Sequence, residues 1–233
     1  MVTDRNIVLT LFALSVVILF FGLTNADIWI QNHFFDFGSG RWLVDRDNPV
    51  LAFVFYDGIK KLLIIAASII LLALVFAYRH PLIRRHRRGL TILLLSVIIV
   101  PAVVNGLKAA TNMPCPKNLE IYGGEYPHTC VWEKYPSTFC KTKKIKCWPA
   151  GHASGGFALL SLYFLFRSRR AKTAAVTGAL VLGWSMGTYK MAIGDHFFSH
   201  TVISMVMGWL IILLIVRLVD VLIGRFQKPE IVQ

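Results

Sequence analysis

"CWPAGHASGGF", residues 147–157, places a proline, a glycine and a histidine at the mouth of an otherwise apolar run. Pro149 suits a first-turn position, Gly151 permits close backbone approach, and His152 then opens a helix. Such a helix start offers unpaired N–H groups and the positive end of the helix dipole, which together favour an anion. Which anion the stretch serves depends on what the rest of the chain brings to the same place.

The surroundings are membrane-like. Of the 233 residues 56% are hydrophobic and only 16% are charged, with a mean hydropathy of +0.61. Several apolar runs approach the roughly 18–20 residues that cross a bilayer. The net charge of +13 would suggest nucleic acid in a soluble protein. Here the cations cluster in short loops beside apolar runs, which fits topology determinants and contacts with anionic lipid, and no nucleic-acid partner is expected. The first run lacks a small-residue cleavage site and reads as a retained helix.

Six spans are expected, at about 7–25, 62–78, 90–107, 152–167, 174–192 and 198–217. "RHPLIRRHRRG" (79–89) and "RSRRAK" (167–172) separate the second from the third and the fourth from the fifth. The positive-inside rule puts both loops, and with them both termini, in the cytoplasm; Arg217, Arg225 and Lys228 after the last span agree. The expected class is all-α: a polytopic membrane protein whose residues 1–233 form one membrane-embedded domain. Residues 26–61, with Trp29, Phe34, Phe35, Phe37 and Trp42, read as an interfacial segment or an aromatic-rich connector.

Residues 109–150 form the large outer loop and hold all four cysteines, Cys115, Cys130, Cys140 and Cys147. An even number on the non-cytoplasmic side suggests two disulfides. Of the three pairings, the nested one, Cys115–Cys147 around Cys130–Cys140, is the expectation. No Cys-x-x-Cys pair argues for zinc.

Counting helices then brings four residues to one membrane face. Lys108 ends the third span, His152 opens the fourth, Lys190 lies near the end of the fifth, and His196 opens the sixth. A single lysine near a span end is ordinarily a snorkelling anchor, and a single histidine there is ordinarily a cap. Two of each at one face instead suit phosphoryl transfer, with one imidazole to attack phosphorus and one to protonate the leaving oxygen.

These motifs resemble those of the type 2 phosphatidic acid phosphatase superfamily, which shares its helical core with vanadium haloperoxidases. That family carries Lys, six residues, Arg-Pro; then Pro-Ser-Gly-His; then Ser-Arg, five residues, His, three residues, Asp. This chain has "KAATNMPCP" (108–116), "PAGH" (149–152) and "YKMAIGDHFFSH" (189–200), so Cys115, Ala150, Lys190 and His200 stand where Arg, Ser, Arg and Asp are usual. The resemblance implies His196 as nucleophile forming a phosphohistidine, His152 as general acid, and His200 as the partner of His196. It implies Lys108, Lys190 and the Gly151 amide as phosphate ligands, and no metal or other cofactor.

Lysine cannot reproduce arginine's bidentate grip, and Cys115 removes a cation; Lys117 or a lysine of "KTKKIK" (141–146) is a candidate replacement. His196, His200 and Asp195 also have zinc-like spacing. The function implied is a lipid phosphatase of the bacterial inner membrane, multi-pass and with its active site facing the periplasm. Its substrate would be a membrane lipid phosphate such as undecaprenyl pyrophosphate, lipid A phosphate or phosphatidylglycerol phosphate. A lipid phosphotransferase using the same site, and a catalytically degenerate headgroup-binding member, are the alternatives.

Overall fold

The computed structural model describes residues 2–140 and 144–226, with helices at all six expected places. Helix α1 is Asp4–Leu23 and α2 is Ala26–Gln31. Helix α3, Pro49–Ala52, runs through a π-type turn, Phe53–Asp57, into α4, Gly58–Phe76. Helix α5 is Pro81–Ala110, α6 Gly151–Ala158, α7 Arg169–Ala192 and α8 Phe198–Phe226. The helix starts carry recognisable local signals. Thr3 and Asn6 form a capping box before α1, Asn48 caps α3, Ser168 caps α7, and α3 and α5 open with proline.

Among the described residues four stretches are long and apolar enough to cross a membrane: Asp4–Leu23, Pro49–Phe76, Pro81–Ala110 and Phe198–Ile223. The other two of the six expected spans are not among these four. Helix α6 has only eight residues before it tightens into a 3₁₀ stretch, Leu159–Phe164. Helix α7 is 24 residues long but is diluted by Arg169, Arg170, Lys172, Lys190 and several glycines.

Helix α6 lies inward, and the buried residues of α7 all fall between Ala179 and Ala192. Helix α6 packs against α5, α7 and α8, whereas α1 leans on α8 and α4 on α5. Phe157 of α6 is fully buried in a cluster with Ile92, Val100, Ile212 and Val216. Small residues permit the approach: a Cβ on Gly156 would lie 2.7 Å from the Gly183 Cα. Within a bilayer, close packing of this kind holds helices together, because lipid is as apolar as leucine. Helices α1 and α4 bury no residue, and Phe12, Leu19, Ile64 and Leu72 point outward, as lipid-facing side chains do.

The segment 26–61 does more than skirt the helices. Strands β1 (Phe35–Asp36) and β2 (Arg41–Trp42) form a short antiparallel hairpin. Phe35 meets Tyr122 of the long loop edge-on and Trp42 meets it tilted, with ring centroids 5.2 Å away in each case, while Trp29 and Phe37 remain exposed.

Candidate active site

Three helix ends and one connector define the candidate site. Lys108 is in the last turn of α5, His152 in the first turn of α6, and Lys190 in the last turn of α7. His196 lies in the connector before α8, two residues short of its start, so the expectation that it opens that helix is corrected. Its backbone N–H donates to the Lys190 carbonyl at 3.2 Å and is therefore taken. Among the described residues the free amides at the site are those of α6. Its first helical bond runs from Ser154 to Ala150, and the Ala150 N–H is held by the His200 carbonyl at 3.3 Å. The donors left over at this end are those of Gly151, His152 and Ala153.

The structure brings the two histidines together. The His152 and His196 ring centroids are 6.1 Å apart. His196 and His200 are both buried, and their Nδ1 atoms are 3.3 Å apart, so one nitrogen donates to the other. With His196 as donor, its Nε2 keeps a free lone pair, and neutral His200 fills the accepting place. Burial, reinforced by His200, Lys108, His152 and Lys190, holds the His196 imidazole well below its ordinary range, leaving it neutral. The Nδ1 of His152 and the Nε2 of His200 are buried without a hydrogen-bond partner among the described residues.

Gly151 is required by its neighbour. A Cβ there would lie 2.6 Å from Asn105 Oδ1 and 3.9 Å from Lys108 Cδ, so this glycine lets α6 approach the cationic end of α5. Lys190 is nearly buried. Its ammonium lies 4.8 Å from the Tyr56 ring centroid and 3.1 Å from Asp195 Oδ2. Tyr56 in turn meets the His152 ring edge-on at 4.4 Å.

Cys115 and Cys147 are joined, with Cα atoms 5.2 Å apart, which ties the first motif to the second. The Cys147 sulfur reaches to 3.7 Å from His196 Nδ1 and 2.8 Å from the Asp195 carbonyl oxygen, buttressing the connector. The other expected bridge is corrected: Cys130 and Cys140 are free. The Cys130 thiol donates to the Gly22 carbonyl at the end of α1, whereas Cys140 is exposed.

The Cys147 sulfur and the His196 and His200 nitrogens lie within 4.8 Å of one another, a spacing a metal ion could bridge. With that sulfur in a disulfide, the trio supplies two histidine ligands, short of the three or four that zinc takes from protein.

Sequence reasoning missed Arg46, Tyr56 and Asn105. None lies in a motif, and only the fold brings them to the site. Asp195 faces away from His196 toward cations: Arg46 donates to its Oδ1, and Lys117 does so at 2.8 Å. Burial pushes this carboxyl up, but the Lys117 hydrogen bond and the charges of Lys190, Lys117 and Arg46 outweigh it and hold the group below the ordinary carboxylate range. Of the loop lysines, Lys144 donates to the Ala109 carbonyl at 2.8 Å, and Lys146 is exposed. Lys141, Lys143 and Lys228 lie outside the described residues.

An apolar groove leads to His152. It has a volume of about 570 Å³ and runs between α4 and α5, with Leu63, Ile64, Val97 and Ile98 along it and Lys60, Tyr56, Asn105 and His152 at its head.

A helical membrane protein with two facing imidazoles and converging ammonium groups has the makings of a phosphoryl-transfer protein. The family model of the PAP2 superfamily matches residues 89–223, more than half of the chain, and the chain belongs to that superfamily. Its members are typically phosphatases, which places this chain at the coarse level among phosphoric monoester hydrolases. No match is found among curated proteins or among solved structures.

Proposed function

We propose that this protein is a lipid phosphatase whose residues 1–233 act as one membrane-embedded domain. In this reading His196 Nε2 attacks phosphorus and forms the phosphohistidine as the ester P–O bond breaks. His152 gives its proton to the leaving oxygen, then takes one from the water that cleaves the N–P bond and releases phosphate. His200 accepts the His196 Nδ1–H and orients the ring. Lys108, Lys190 and the Gly151 amide hold the non-bridging oxygens, where preorganised donors favour the charge of the transition state.

The observation that carries the lipid assignment is the groove between α4 and α5. It is apolar along its length and cationic and imidazole-lined at its head, which suits a chain lying in hydrocarbon with its phosphate at the histidines. The substrate is then a lipid monophosphate or diphosphate, with undecaprenyl pyrophosphate, lipid A phosphate and phosphatidylglycerol phosphate as candidates. With the arginine-rich loops in the cytoplasm, the six helical segments cross a bacterial inner membrane, both termini lie inside, and the site opens to the periplasm.

The test is phosphate release from these lipids by detergent-solubilised protein. Wild type is expected to turn over at least one of them, and His196→Ala and His152→Ala to lose that turnover. Activity surviving both substitutions contradicts the reading.

A further inference from the structure

Three stretches far apart in the sequence converge on the end of α7. Gln31 Nε2 donates to the Met191 carbonyl at 2.9 Å, the Val44 N–H to that of Ala192 at 3.2 Å, and the Lys117 N–H to that of Gly194 at 3.0 Å. A helix C-terminus leaves carbonyls without intrahelical partners, and these bonds answer several of them. They also fix two cations, Arg46 and Lys117, over the connector that carries His196.

Both cations, with Lys190, are spent on one carboxylate. Asp195 Oδ1 accepts from Arg46 and Lys117, and Oδ2 accepts from Lys190. Three positive charges from three segments thus surround a single negative charge, and Arg46 lies outside the span that the family model matches. A phosphoryl group presents three acceptor oxygens and up to two charges, so it suits these donors better than a carboxylate does. Lys190 is shared between this position and the histidine pair, because its ammonium rests on Tyr56, which meets His152. Tyr56 also lines the apolar groove.

We propose that Arg46, Lys117 and Lys190 form a second phosphate subsite, in which Asp195 is the resting counter-ion, and that the substrate is a lipid diphosphate. The proposal rests on the phosphatase reading above. The terminal phosphorus bonds to His196 Nε2 as its bridging P–O bond breaks. The bridging oxygen takes the His152 proton and leaves on the lipid-bearing phosphate, which stays on the three cations in place of Asp195. Water then breaks the N–P bond, giving inorganic phosphate and a lipid monophosphate whose chain runs past Tyr56 into the groove.

The experiment compares the full chain in detergent on farnesyl diphosphate and farnesyl monophosphate, alongside thermal stabilisation by inorganic pyrophosphate and by phosphate. Arg46→Ala and Lys117→Ala are expected to raise KM for the diphosphate at least ~10-fold more than for the monophosphate, as befits lost charge-assisted bonds to one phosphate. Pyrophosphate is expected to stabilise wild type more than phosphate does, and Arg46→Ala to lose the difference. Asp195→Asn, which frees the cations, is expected to tighten pyrophosphate binding several-fold, a gain that misfolding cannot produce. Equal KM changes on both lipids, or pyrophosphate acting no better than phosphate on wild type, overturns the subsite. If wild type hydrolyses neither lipid, the phosphatase reading falls by itself. Pyrophosphate stabilisation then decides the subsite: its loss in Arg46→Ala supports the proposal, and its persistence there overturns it.

Discussion

The two ends of α5 are both rich in cations, and they use them differently. At the Pro81 end, Arg84, Arg85 and Arg87 are exposed, and Arg88 makes a bidentate pair with Asp220 of α8 at 2.6 and 2.9 Å. At the Ala110 end, Lys108 and Lys190 are drawn inward beside three imidazoles, and Asp195 gathers Arg46, Lys117 and Lys190. A count of charges does not separate the two ends. What separates them is desolvation: an exposed guanidinium is stabilised by water and lipid phosphate wherever it points, whereas a buried ammonium needs an anion at a defined place. In the proposed reading the first end sets orientation in the membrane and the second receives the ligand.

The largest effect should come from the histidines. His196→Ala is expected to reduce kcat on the order of 10⁴-fold or more, as loss of a nucleophile does. His152→Ala should cost about 10²–10⁴-fold, as for a general acid. Phosphate release from a lipid phosphate checks both, and Arg87→Ala at the opposite end, assayed in parallel, should retain wild-type kinetics. A comparable loss in Arg87→Ala would break the distinction between the ends.

The disulfide should come next. Replacing Cys115 and Cys147 by serine reopens a loop of sequence separation 32, worth about 3–4 kcal/mol in the chain-entropy view. It also withdraws the sulfur that backs His196. Thermal unfolding and activity should therefore fall together, whereas Cys130→Ser and Cys140→Ser should leave both near wild type.

Gly151→Ala should be milder. Its methyl would press on Asn105 Oδ1, a steric cost of about 1–3 kcal/mol. Asn105→Ala in the same chain should restore stability if the clash is the cause. No rescue would mean that Gly151 matters for another reason.

The effect on activity at the site is smallest for a group remote from the histidines, whose signature is a pH dependence of stability. Burial pushes Asp27 up to about 6, against hydrogen bonding from Ser199; its Oδ1 accepts the Ser199 N–H at 2.9 Å near the start of α8. Between the unfolded value near 3.8 and the folded value near 6, the native state binds more protons than the unfolded one. Stability contributed by this group therefore falls as pH rises through that window, by up to ~3 kcal/mol. Asp27→Asn, which keeps an acceptor but cannot ionise, should flatten the dependence of the unfolding temperature between those pH values.

The candidate site is more legible in sequence than the fold around it. Lys108, His152, Lys190 and His196 were placed together by counting helices, because each is a polar residue at the edge of an apolar run. The Cys115–Cys147 pair followed from their positions at the two ends of one loop. The shortness of α6 is hidden, because "HASGGFALLSLYF" has the composition of a span while its Gly156 serves close packing with α7. His196 lies two residues before the helix that sequence alone has it open, since no periodic signal marks where a connector ends. Arg46, Tyr56 and Asn105 carried no local signal at all. Arg46 looks like any loop arginine until the hairpin and the Val44–Ala192 hydrogen bond deliver it to Asp195.

Trapping the covalent intermediate tests the nucleophile most directly. Protein mixed briefly with a lipid diphosphate radiolabelled in its terminal phosphate, then quenched in alkali, is expected to carry label that acid releases and that maps to the peptide containing His196. Arg87→Ala protein should carry the same label, and His196→Ala none. Label that persists in His196→Ala, or a wild-type enzyme that turns over this lipid while carrying none, would contradict the assignment of His196 as the group that bonds to phosphorus.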